Sequence, residues 1–148
     1  MRPLLHLFSA VFCLLSPSCY AQCGDELMKQ ALSSMGSYQY IKDFDIKLPA
    51  SISQSGMRFS VVLNSRTQYQ VNVANAPTNS DKVIIQIFDG DKLLGTNFAN
   101  GRTFDVFQFF CSKTGAYKLN VFCNSGTEAC SRIVLSLVKQ IPQVSMPQ

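Results

Sequence analysis

From Tyr38 to Val138 the apolar residues fall at every second position in short runs, and turn-forming residues separate the runs. Side chains that alternate with a period of two line one face of a β-strand, whereas a helix needs a period of 3.6. Phe44, Ile46 and Leu48 alternate in this way, as do Phe59, Val61 and Leu63, and then Tyr69, Val71 and Val73. Val83 to Phe88 is almost unbroken in apolar character, as expected of a central strand. Asp89-Gly90 and Asn100-Gly101 are hairpin turn signals, because both residue pairs accept the positive φ angles of a tight turn. Leu93–Phe98, Phe104–Cys111, Tyr117–Cys123 and Cys130–Val138 complete the series. Spacing of this kind predicts an all-β domain, a β-sandwich or jelly roll of about eight strands. A short helix precedes it. Leu27, Met28, Ala31, Leu32 and Met35 recur at helical spacing, with Asp25 as the expected N-cap and Gly36 as the stop.

The first 22 residues have a different character. Arg2 gives a positive start, Leu4 to Leu15 form an apolar run, and Ser16-Pro17-Ser18 break it. This is the pattern of an export signal, with Ala21 or Gln22 as the last residue removed. The apolar run is shorter than the ~20 residues a membrane-spanning helix needs. Lipidation would require a cysteine after an apolar-small-small triplet, and the residues ahead of Cys19 and Cys23 fit that poorly. The expectation is a secreted or periplasmic protein with no transmembrane anchor. Residues 23–139 would form one domain and residues 140–148 a flexible tail. A domain of about 125 residues buries roughly two-thirds of its unfolded surface, enough for a core without metal or cofactor.

Cleavage would remove His6, the only histidine in the 148 residues. The mature chain would then lack the imidazole required for Ser-His-Asp or Cys-His catalysis and for the common zinc sites. No G-x-S-x-G, H-E-x-x-H or P-loop pattern is present. A paired-carboxylate hydrolase needs only two acids, yet no two of Asp25, Glu26, Asp43, Asp45, Asp81, Asp89, Asp91, Asp105 and Glu128 stand out as a pair. Net charge is +4, partly from Arg2, and Lys and Arg are scattered, so a nucleic-acid interface is not expected.

Cys13 and Cys19 would leave with the signal, and Cys23, Cys111, Cys123 and Cys130 would remain. An even number of cysteines in an exported domain implies disulfides. If Phe104–Cys111 and Tyr117–Cys123 form a hairpin, Cys111 and Cys123 lie roughly 20 Å apart, too far to bond. A strand from Cys130 returning alongside would bring Cys130 to Cys123. The expected pairing is therefore Cys123–Cys130 with Cys23–Cys111, the second tying the helix to the sheet.

The stretch Arg58–Val138 resembles the bacterial pre-peptidase C-terminal domain, a small β-sandwich of secreted proteins. The resemblance rests on Phe59-Ser-Val-Val, Thr67-Gln-Tyr-Gln-Val, Ile85-Gln-Ile-Phe-Asp with Gly90 and Lys92-Leu-Leu, then Phe107-Gln-Phe with Lys113-Thr-Gly-Ala-Tyr-Lys-Leu. It implies a role in attachment, solubility or maturation rather than catalysis. Some such domains bind calcium, but Asp89-Gly-Asp91 is better explained as a turn.

These features predict a non-catalytic binding or accessory module with no cofactor, whose partner is a protein or a cell-surface polymer. Alternation leaves Phe98, Phe104, Phe110 and Phe122 as outward aromatics and hence as the candidate binding face. A carbohydrate-binding module is the alternative. It would need a planar aromatic row including Tyr38 and Tyr40, and the absence of Trp counts against it. A carboxylate-only hydrolase is the third possibility.

Overall fold

The computed structural model describes residues 23–142. The expected leader, its cleavage point and residues 143–148 of the expected tail lie outside them. Helix α1 (Asp25–Met35) is followed by β1 (Gln39–Leu48), β2 (Met57–Leu63), β3 (Thr67–Asn75), β4 (Ile84–Asp89) and β5 (Lys92–Thr96). Then come β6 (Phe98–Ala99), β7 (Arg102–Thr103), β8 (Val106–Cys111), β9 (Gly115–Phe122) and β10 (Ala129–Gln140). The protein is a β-sandwich with one short helix, as the alternation predicts, and the strands number ten because β6 and β7 form a small extra ladder.

The first sheet has the order β1-β10-β3-β8 and the second β2-β9-β4-β5. All their pairings are antiparallel. The inward rows meet in one core. Ile46, Val71 and Ile133 of the first sheet and Ile85, Leu119 and Val121 of the second are almost wholly buried there. Tyr69 stacks on Phe109 with ring centroids 5.7 Å apart. Truncating a buried isoleucine at such a site costs about 2–5 kcal/mol, so the alternating rows supply most of the stability.

The helix lies on the outer face of the first sheet. Leu27 and Ala31 pack there against Ala74 of β3 and Val134 of β10, with Met28, Leu32 and Met35 around them. The N-cap is Gly24 rather than Asp25, one residue from expectation, and Asp25 and Glu26 occupy the first turn. Their carboxylates are favourable there against the partial positive charge of the helix N-terminus. Gly36 ends the helix at φ 71°. Among the described residues no helix is long and apolar enough to cross a membrane.

Two expectations about connectivity are corrected. β8 and β9 are not a hairpin, because the chain crosses between the sheets at Ser112–Thr114. β10 does not return beside β9 but runs between β1 and β3. Consequently the cysteine pairing differs. Cys23 bonds to Cys130, with Cα atoms 5.5 Å apart, and Cys111 and Cys123 are free and buried. The reason is the side on which each thiol emerges. Cys130 alternates with Ala129 and Ser131, which are buried, so it faces outward beneath the helix that carries Cys23. Cys111 and Cys123 face the core between the two sheets, and the first sheet separates them from the helix. Cys111 sits at the crossing end of β8 and Cys123 at the far end of β9, roughly 25 Å of strand apart.

Candidate interaction surface

The acids show what this surface does not offer. Asp43 and Asp45, on the outer face of β1, come nearest to a carboxylate pair. Arg132 of β10, cross-strand from Asp45, lies between them. Its Nη1 donates to Asp43 Oδ2 at 3.0 Å, and its Nε stands 3.5 Å from Asp45 Oδ1. The Tyr40 hydroxyl donates to the other oxygen of Asp43, and that hydrogen bond is the main reason its pKa is raised. Lys47 adds a second cation beside Asp45. Asp89 is paired with Lys113, Asp105 with Lys82 and Glu26 with Lys29. Each of these carboxylates already has a cationic partner.

The four outward phenylalanines do not form one patch. Phe110 (45 % exposed) is on the outer face of the first sheet, cross-strand from Gln68. Phe122, half-buried, is on the outer face of the second sheet. Only Phe98, in β6, and Phe104, the residue after β7, lie on one hairpin, at 37 % and 49 % exposure. Tyr40, the exposed one of the two candidate tyrosines, stands on β1, so no planar aromatic row is assembled.

Phe98 and Phe104 belong to a short β-finger, β6–β7. Its tip is Asn100-Gly101, with φ of 52° and 72°, the two positive angles of a tight hairpin turn. Phe98 lies opposite Thr103 and Ala99 opposite Arg102. Alternation therefore sends Phe98 to one side, and Arg102 and Phe104 to the other.

The finger is rooted by a residue that the sequence pattern did not single out. Asn97 is 0 % exposed. Its Oδ1 accepts from the Ile85 N–H at 2.7 Å, and its Nδ2 donates to the carbonyls of Val83 at 3.0 Å and Phe104 at 3.1 Å. The Phe104 N–H closes the ring by donating to the Asn97 carbonyl at 2.7 Å. One residue further on, the Asp105 carbonyl accepts from the Val73 N–H of β3, and its carboxylate meets Lys82 at 2.9 Å. The base of the finger is thus bonded to both sheets. A finger held this way loses little conformational entropy on contact with a partner. The only sequence signal for it is the Asn100-Gly101 pair, since an asparagine among strand residues reads as polar and outward-facing.

No family model matches the chain, and no curated protein matches it. Among solved structures the chain is similar to PliG of Aeromonas hydrophila, a periplasmic lysozyme inhibitor of g-type lysozyme. The two superpose with a TM-score of 0.50 at 11 % identity, over 67 % of this chain and 87 % of that one. The likeness is one of fold.

Proposed function

We propose that the mature chain is an exported, non-catalytic protein-binding module that presents the β6–β7 finger to a cleft in its partner, with a g-type lysozyme as the first candidate partner. The observation that carries this is the finger itself, with exposed Phe98, Phe104 and Arg102 on a base pinned by Asn97. Aromatic and arginine side chains on a preorganised support are what dominate protein interfaces energetically. The similarity in fold to a periplasmic lysozyme inhibitor supports the choice of partner class, although fold alone does not carry function. The resemblance of Arg58–Val138 to pre-peptidase C-terminal domains, retained as part of the proposal, supports the same non-catalytic class. Export is supported by the Cys23–Cys130 disulfide, a bond rare in reducing compartments, and by the signal-like first 22 residues.

The test uses residues 23–148 with the disulfide formed. Binding to a g-type lysozyme is measured by calorimetry, and inhibition by clearing of a cell-wall suspension. Complex formation is expected, with the Phe98→Ala/Phe104→Ala variant weakened by about 2 kcal/mol or more while its urea midpoint stays close to the parent's. If the parent neither binds nor inhibits, the partner assignment fails. If it binds equally well without the two rings, the finger assignment fails.

A further inference from the structure

Among the described residues the outer face of the second sheet is uncovered, because α1 lies on the first. On that face Arg58 of β2 stands opposite Asn120 of β9, and Lys118 of β9 stands opposite Phe88 of β4. With the β4–β5 turn at Gly90-Asp91 they line a depression of ≈ 300 Å³. It lies at the turn end of β4, whereas Asn97 anchors the finger at the Val83–Ile85 end.

Three observations define what fits there. Among the described residues neither Arg58 nor Lys118 has an ion-pair partner, although Arg132, Lys82 and Lys113 each do. The Asn120 Oδ1 is buried and receives no hydrogen bond. Phe88 is half-buried and forms an apolar wall beside the cations. Two cations call for an anion. A buried acceptor without a donor calls for a hydroxyl or amide N–H. An aromatic wall favours a flat apolar surface. An acidic peptide supplies the charge and an amide N–H but no flat ring face for Phe88, and a neutral sugar supplies the donor and the face without the charge. A sugar ring bearing a carboxylate supplies all three.

We propose that this depression is a subsite for an acidic saccharide residue of the uronate type. Arg58 and Lys118 hold the carboxylate, Asn120 Oδ1 accepts from a ring hydroxyl, and Phe88 meets the C–H face. Asp91 at the rim accepts from a second hydroxyl. The site is separate from the finger, and its existence does not depend on the proposed protein partner.

The experiment titrates isotope-labelled protein, residues 23–148, with tetragalacturonate, and compares galactotetraose, tetraglutamate and inorganic phosphate. Tetragalacturonate is expected to shift the amide resonances of Arg58, Phe88, Lys118 and Asn120 and to bind at least about tenfold more tightly than each control. The Arg58→Gln/Lys118→Gln variant is expected to lose about tenfold in affinity. Asn120→Leu should weaken the sugar further relative to tetraglutamate. Unchanged thermal melts of these surface variants establish that they fold. The proposal is overturned if tetragalacturonate causes no shifts, if the shifts fall elsewhere, or if tetraglutamate or phosphate binds as well.

Discussion

Replacing Asn97 by alanine is the sharpest test of how the finger is held. The substitution removes one acceptor and two donor bonds at a residue with no solvent exposure. The Phe104 carbonyl belongs to an exposed residue and regains water. The Ile85 N–H and the Val83 carbonyl belong to fully buried residues and are left without partners. Each buried orphan costs about 1–3 kcal/mol, so the expected loss is about 3 kcal/mol. With a urea m-value of about 2 kcal/mol/M for a domain of this size, the midpoint should fall by about 1.5 M. Amide exchange at Ile85 and Phe104 should accelerate in the same variant. Asn97→Asp should be worse than Asn97→Ala, because it aims a buried negative charge at two carbonyl oxygens. A midpoint shift under about 0.5 M with the Ile85 amide still protected would refute the claim that this side chain anchors the finger.

Non-reducing peptide mapping should recover Cys23 joined to Cys130, with Cys111 and Cys123 alkylated only after unfolding. Because the bond closes a loop of 107 residues, Cys23→Ser should cost up to about 4.8 kcal/mol by chain entropy, read from the denaturation midpoint. Gly56→Ala should destabilise by more than Gly36→Ala. Both glycines have positive φ, but a Cβ at Gly56 would lie 2.5 Å from the Val121 carbonyl oxygen, whereas at Gly36 it would meet open space. Gly36, at φ 71° and ψ −140°, lies in a region almost only glycine adopts, so its pure backbone penalty should be about 1–3 kcal/mol, and melting curves of the two variants rank them. Burial first, and then Cys111 and Asp89 beside it, push the Tyr117 phenol up to about 12 from 10.0. Its folded pKa is above its unfolded one, so its contribution is fully present below pH 10 and is lost as the pH rises towards 12. About 3 kcal/mol should disappear over that window, with burial raising the Cys111 thiol in the same direction. Denaturation midpoints measured across alkaline pH check this, and a flat profile would contradict it.

The core was legible before any coordinates because a period of two states which side of a strand a residue occupies. Phe44, Ile46, Leu48, Val61, Val71 and Leu119 are all buried where alternation puts them. The helix was legible from Leu27 and Ala31, and the turns at Gly90 and Gly101 from residues that accept positive φ. The four phenylalanines were marked as outward, but nothing local said that two would share a finger while the others lay on different sheets.

Alternation names a side but never a neighbour. Tyr117–Cys123 reads the same whether it pairs with β8 or, as it does, with β2 and β4. The crossing of the chain at Ser112–Thr114 placed β8 and β9 in different sheets, and that decided which thiol Cys23 could meet. The Asn97 anchor and the grouping of Arg58, Lys118 and Asn120 likewise join strands distant in sequence. Local sequence determined the strands, the helix and the buried rows, because those follow from backbone geometry and side-chain polarity at short range. The packing of one sheet on the other determined the disulfide, the rigid finger and the basic depression, because each depends on which strands lie side by side.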